Sequence, residues 1–126
     1  MQDGSGVAID RARALAATRT AGDRTAEVIA AIRDPRAPTR GLGWTLGETA
    51  AHLVANLRSH RAWLGGEGKI DYGVADLAEV NRRAIDELEE RDPARLAEML
   101  RAENQAYLRA AGEQPVGLRN PAGCAE

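Results

Sequence analysis

The sequence contains few of the residues that disulfide bonding, polyanion binding or membrane insertion require. Its single cysteine, Cys124, cannot form an internal disulfide, which is typical of proteins in the reducing cytosol. Lys69 is the only lysine, and no apolar run approaches the roughly 20 residues that a membrane-spanning helix needs. Residues 1–10 contain neither a basic n-region nor an apolar h-region, so no secretory signal is predicted. The expected location is therefore cytoplasmic, without a membrane partner.

Aromatic residues are also rare, since the chain has no phenylalanine, two tryptophans and two tyrosines. Alanine and leucine must therefore fill the core, and such small side chains allow helices to pack closely. Charged residues make up 29% of the chain, but acids and arginines alternate and the formal net charge is only −2. This pattern indicates solvated helix faces with i,i+4 charge pairs, and it argues against nucleic-acid binding.

What the sequence does contain is a helical pattern over nearly its whole length, as suits one domain over residues 1–126. Apolar residues at three-and-four spacing predict a first helix from about 7 to 32, ended by an Asp-Pro pair. Gly22 lies on its apolar face and marks either a close helix contact or a break. A T-x-x-E capping box at Thr45 and Glu48 predicts the start of a second helix.

The next two predicted helices follow one another with almost no connection. The third begins within 74–76 and ends near Arg91. The pair Asp92-Pro93 then combines a favoured N-cap with a favoured first helical residue, and it starts a fourth helix that runs to about Ala111. Because an antiparallel helix hairpin normally needs about 2 to 5 loop residues, these two helices are interpreted as one bent arm.

The first helix, the second helix and this bent arm make only three packed elements. Between them an apolar seam is left uncovered. The tail, residues 112–126, has the composition of a loop and reaches no further element. The expected fold is therefore an all-α, up-down helix bundle whose closing helix is missing from this chain or supplied by a second copy in a homodimer. Four short helices with a frayed tail are the alternative.

Both histidines, His52 and His60, lie on the predicted second helix. Eight residues of helix separate them by about 12 Å, so they cannot hold one metal ion together. His52 lies mid-helix beside the seam and is the better candidate ligand. His60 lies among arginines near the helix end, where an imidazolium complements the helix dipole. Judged by spacing alone, a histidine in either place is more often a satisfied or solvated side chain than a ligand.

The stretch GWTLGETAAHLVANL combines a tryptophan, a capped helix start and a Gly-Glu-x-x-x-His-Leu core. With the long first helix and the later bent arm, it resembles the N-terminal domain of mycothiol-dependent maleylpyruvate isomerases, within the DinB-like, metal-binding four-helix superfamily. The resemblance covers residues 8 to 123. It implies a divalent ion, typically zinc, held by histidines of which His52 matches the first. The others are expected on a closing helix beyond this chain, so the metal is expected only in the full-length protein.

The resemblance also implies a reaction, the isomerisation or transfer of a small-molecule substrate with mycothiol or a similar thiol as cosubstrate. In such chemistry a metal ion stabilises the thiolate, which attacks an electrophilic carbon. Arg58 and Arg61 are then candidates for holding an anionic substrate or thiol, and Asn56 for supporting the metal ligand from behind, although polar helix surfaces carry such residues routinely. Glu48 is interpreted as a cap rather than a catalytic base. The alternative function is a non-catalytic dimerisation or regulatory module on the same scaffold.

Overall fold

The computed structural model describes residues 10–67 and 71–114 of the chain. These residues form four α-helices and a short 3-10 turn: α1 Arg11–Ala30, α2 Leu46–Leu64, the turn Val74–Asp76, α3 Leu77–Glu87 and α4 Pro93–Glu113. Within these ranges there is no β-strand, and the only extended pairing is a single bridge between Pro38 and Thr45. The prediction of an all-α bundle is confirmed. Lys69, Cys124 and the tail beyond residue 114 lie outside the described residues.

The bundle is organised around α4, which packs against α1 on one side and α2 on the other, while α3 packs against α2. Its core consists of small and medium aliphatic side chains, as the shortage of aromatic residues predicts. The core cluster comprises Ala26, Ile29, Ala50, Ala51, Val54, Leu88, Leu96, Ala97 and Leu100. None of the described helices combines the length and the apolarity that crossing a bilayer demands.

The starts of α2 and α4 lie where the sequence predicts them. At α2 the Glu48 N–H donates to Thr45 Oγ1 (3.1 Å) and the Thr45 N–H donates to Glu48 Oε1 (2.9 Å), which completes the capping box. At α4 the Arg95 N–H donates to Asp92 Oδ2 (3.3 Å), and Pro93 is the first helical residue. Each cap satisfies backbone donors that the first turn of a helix cannot pair internally. These local bonds fix where both helices begin.

Four predicted helix boundaries are wrong by a few residues, and one of them is the end of α1, which lies at Ala30 rather than near residue 32. α1 begins at Arg11 rather than near residue 7, because Asp10 is extended and its carboxylate accepts the N–H of Arg13 (3.2 Å) as an N-cap. α4 includes Gly112 and ends at Glu113, so the tail begins slightly later than expected.

α3 ends at Glu87 instead of Arg91, and residues 88–92 link it to α4. The Arg91 guanidinium accounts for this end, because it donates to the backbone carbonyl oxygens of Ile85 (2.8 Å), Leu88 and Glu90 (2.7 Å), all within the six residues before it. These bonds satisfy carbonyl groups that the end of a helix leaves unpaired. The link is thus longer than the predicted junction, and α3 turns towards α2 rather than lying along α4 as a hairpin partner.

Gly22 marks a close contact between helices, and α1 continues through it without a break. A Cβ atom at this position would lie 2.1 Å from Nδ2 and 2.6 Å from Cγ of Asn104 on α4. Asn104 is buried, with 5% of its surface exposed, and its Nδ2 donates to the carbonyl oxygen of Thr18 (3.4 Å). Only a glycine lets the two helices approach this closely around a buried amide.

Candidate functional site

His52 lies in the first half of α2 and is half-buried. Its ring packs against the indole of Trp44, with ring centroids 4.9 Å apart and an interplanar angle of 51°. Desolvation by this partial burial lowers the pKa of His52 below its ordinary value, because removal from water disfavours the imidazolium form. His52 is therefore a neutral imidazole at neutral pH, the form that donates a lone pair to a metal ion or accepts a proton.

The surroundings of His52 do not complete a metal centre. Among the residues that the structure describes, no group of three or more His, Cys, Asp or Glu side chains is placed to hold a metal ion. A catalytic zinc site typically needs about three protein ligands. The neutral imidazole of His52 suits zinc as one donor, but the other donors that such an ion needs are not present in the described part of this chain.

The start of α2, just before His52, is closed to anionic ligands by its own backbone. The Leu46 N–H donates to the carbonyl oxygen of Ala37, and the Gly47 N–H donates to that of Pro35, both at 2.8 Å. Together with the capping box, these bonds use the donors that a helix N-terminus would otherwise offer to an anion. An anion is therefore not expected to bind at this helix end.

The Glu48 carboxylate makes two contacts, and the one with the Thr45 backbone confirms its interpretation as a capping residue. Its carboxylate accepts the N–H of Thr45 and pairs with Arg82 of α3 at 2.5 Å. The hydrogen bond from the Thr45 backbone, followed by the bond from Arg82, lowers the pKa of Glu48 below its ordinary value of 4.5. A carboxylate bound in this way is a poor proton acceptor at neutral pH and joins α2 to α3.

Acid is expected to weaken the bundle through Glu48. Because the folded-state pKa of Glu48 lies below its ordinary value, its contribution is present in full above pH 4.5 and is lost as the pH falls through the lowered value. Urea unfolding of Glu48→Gln between pH 7 and acid pH should therefore show a smaller loss of stability than wild type in this window. Glu79→Gln, at an exposed i,i+4 pair on α3, serves as the control. Identical pH profiles for wild type and Glu48→Gln would contradict the assignment.

The arginines predicted to hold substrate or thiol meet on one carboxylate. Arg58 Nε lies 2.9 Å from Glu103 Oε1, and Arg61 Nε lies 3.1 Å from Glu103 Oε2. The Glu103 side chain is 13% exposed, whereas those of Arg58 and Arg61 are 47% and 39% exposed. The two arginines therefore tie α2 to α4 and still reach solvent, and their predicted role in substrate binding stays a prediction.

A cavity of about 270 Å³ lies between α1 and α2, and we call it the seam groove. Leu100 and the buried Asn104 of α4 lie at its base. α1 and α2 supply the walls, formed by Thr18, Ala21, Gly22, Thr25, Leu53, Asn56, Leu57 and His60. Of the predicted site residues, Asn56 lines the groove, together with His60, which was not predicted to take part in a site. His52 is not part of its lining and packs on Trp44 instead.

His60 is more firmly placed than its position near a helix end indicates. Its Nδ1 lies 2.7 Å from the carbonyl oxygen of Asn56, which can only accept, so Nδ1 carries the proton and donates. Its ring also meets Trp63 edge-on (centroids 4.8 Å apart) and Tyr107 of α4 (6.5 Å). The i,i+3 spacing to Trp63 was a signal of this packing, but the contact with Tyr107 has no signature in the sequence.

These features define the class of the protein as an all-α helix bundle, with a half-buried histidine on its second helix. The family model for the mycothiol maleylpyruvate isomerase N-terminal domain matches residues 11–123. Because this match covers most of the chain, the protein belongs to that family, and the resemblance described above is confirmed. No curated protein and no solved structure matches the chain at a significant level.

Proposed function

We propose that this chain is the domain of a thiol-dependent isomerase or transferase in which His52 provides one nitrogen ligand to a divalent ion, zinc in the first instance. Mycothiol or a similar small thiol is the cosubstrate. The proposal is supported mainly by the neutral, half-buried imidazole of His52. It is also supported by the match of residues 11–123 to a mycothiol-related family. The further ligands come from outside the described residues. The single cysteine supports a cytosolic setting for this chemistry.

The residues around His52 have defined parts in this proposal. When bound, the ion lowers the pKa of a thiol and so supplies a thiolate at neutral pH. Trp44 covers one side of the His52 ring, which limits hydration of the imidazole and keeps it neutral. Asn56 lies one turn further along α2 than His52 and lines the seam groove. In this proposal it orients the metal ligand without binding the metal itself. Arg58 and Arg61, half-exposed beyond Glu103, attract the anionic substrate or thiol.

The zinc affinity of the full-length protein tests the role of His52. Wild type, His52→Ala and the matched control His60→Ala are purified, checked for helicity by circular dichroism, and titrated with zinc. Loss of the His52 ligand should weaken zinc affinity by at least about 100-fold, the upper end of the loss seen for residues that only support a ligand. His60→Ala should change it little. Unaltered stoichiometric zinc in His52→Ala would end the proposal, whatever the enzyme activity.

A second function, a non-catalytic dimerisation module, is favoured by the open seam groove. Leu53 at its wall is 36% exposed, and a second copy of the chain would bury it. Sedimentation equilibrium should then show a dimer for wild type and a monomer for Leu53→Arg. Val28→Arg is the control, since Val28 is 70% exposed but does not line the groove. A wild-type monomer at every concentration would exclude this function.

A further inference from the structure

A second cavity lies along the contact between α1 and α4, and arginines dominate its lining. Arg19 comes from α1, and Arg101 and Arg109 come from α4. The cavity has a volume of about 580 Å³, and we call it the arginine groove. On α4 the two arginines are eight residues apart and therefore separated by about 12 Å along the helix, with Gln105 midway between them. The groove thus presents guanidinium groups from two helices over the length of a small metabolite.

The arginines of this groove form no ion pair with the described residues, unlike the arginines that pair with acids on α2, α3 and α4, which are Arg58, Arg61, Arg82, Arg83 and Arg95. Within residues 10–67 and 71–114, Arg19, Arg101 and Arg109 have no carboxylate oxygen within 4 Å. Asp23 and Glu113 also line the groove without forming such a pair. The lining therefore carries a net positive charge, in a protein whose overall charge is −2.

The base of the groove is rigid. Asn104 lines it, is 5% exposed, and is held between the Gly22 backbone and the carbonyl oxygen of Thr18. Leu108, also buried, lies one turn further along α4 in the same lining. A fixed base between two packed helices lowers the entropy cost of positioning a ligand, because the surrounding backbone need not be ordered on binding.

We infer that the arginine groove binds a small hydroxylated organic dianion, either a hydroxydicarboxylate or a sugar-type phosphate monoester. Each guanidinium offers a planar fork that matches a carboxylate or phosphate in a bidentate pair. Guanidinium groups from two helices can each pair with an anionic oxygen, which suits a ligand that carries two negative charges. Asp23 and Glu113 are acceptors in the same lining, and a ligand hydroxyl donates to them. The volume lies in the range of about 300 to 1,000 Å³ that is usual for small-molecule sites.

This site is distinct from the proposed metal site at His52 and does not depend on the proposed function. Asn104 lies between the two cavities and lines both, while His52, Arg58 and Arg61 do not line the arginine groove. Bound across α1 and α4, the dianion stabilises the helix pair whether or not the protein binds zinc or uses a thiol.

Isothermal titration calorimetry of the intact protein at low ionic strength tests the inference. Malate and glycerol 1-phosphate are the probes, and succinate is the matched probe without a hydroxyl group. We expect one site, with malate or glycerol 1-phosphate bound more tightly than succinate, and the tighter of the two identifies the carboxylate or the phosphate as the natural anion. Equal affinity of succinate and both hydroxylated probes would overturn the assignment of Asp23 and Glu113 as hydroxyl acceptors.

Variants test whether the arginines of the groove bind these anions. Arg101→Gln and Arg19→Gln should each weaken binding about tenfold, because each removes a charge-assisted pair. Arg83→Gln, an exposed arginine on α3, is the control and should bind like wild type. Circular dichroism confirms that each variant is folded. No binding heat from any probe at about 10 mM, where a ligand with a Kd of about 1 mM is nearly saturating, would overturn the inference. Equal affinities in Arg101→Gln and wild type would do the same.

Discussion

Leu96→Ala is expected to remove about 2–5 kcal/mol from the free energy of unfolding, the usual loss when a fully buried leucine is truncated in a packed core. Leu96 lies near the start of α4, is 0% exposed, and belongs to the core cluster that joins α4 to α1 and α2. The truncation leaves a cavity in the core cluster and weakens the packing of α4 against it. Since domains are stable by only about 5–15 kcal/mol, the variant should be close to unfolding at 37 °C.

Urea unfolding followed by circular dichroism measures this loss. Leu42→Ala is the control, because Leu42 lies in the loop before α2 and is 51% exposed. Its truncation should change stability by less than about 0.5 kcal/mol, as is usual for surface substitutions. Equal losses at the two positions would contradict the assignment of α4 as the centre of the bundle.

Gly22→Ala is expected to destabilise the domain by about 1–3 kcal/mol, although alanine is the better helix former by about 1 kcal/mol. The new methyl group would lie 2.1 Å from Nδ2 of Asn104, so the amide must move and lose its bond to the carbonyl oxygen of Thr18. A displaced buried amide costs further free energy because its donors are left without partners.

A double-mutant cycle isolates this cause. Asn104→Ala removes the clashing amide, so Gly22→Ala should become neutral or stabilising in that background. Gly112→Ala on α4 is the control, because its Cβ would meet only Leu15 Cδ1 at an ordinary 3.9 Å, and it should gain stability from reduced unfolded-state entropy. If Gly22→Ala and Gly112→Ala both stabilise the protein, α1 and α4 do not approach as closely as described.

The parts of the fold that could be predicted depend on local chemistry. The caps at Thr45 and Asp92 each depend on a few consecutive residues, and α2 and α4 begin directly after them. The scarcity of aromatic residues correctly predicted a core of alanine and leucine. Gly22 was predictable only as one of two alternatives, because its partner Asn104 is distant in the sequence and the register between α1 and α4 is set by packing.

The parts that could not be predicted depend on side-chain contacts, some short-range and some between helices. The end of α3 follows from the bonds that Arg91 makes to carbonyl groups preceding it, which helical periodicity does not reveal. The ion pairs of Glu103 and Arg82 likewise join residues of different helices, so they can be identified only when the positions of those helices are known. For the candidate site, spacing correctly separated the two histidines but could not show that His60, rather than His52, lines the seam groove.

The central claim is that His52 binds the metal of a thiol-dependent enzyme, and NMR of the imidazole nitrogens tests it most directly. Zinc is added to the nitrogen-15-labelled protein as its gene encodes it, and the ring signals of His52 and His60 are followed separately. At one equivalent of zinc, one ring nitrogen of His52 is expected to move to the chemical shift of a metal-bound nitrogen, while both His60 nitrogens keep their shifts. Stoichiometric zinc binding with unchanged His52 signals would contradict this claim.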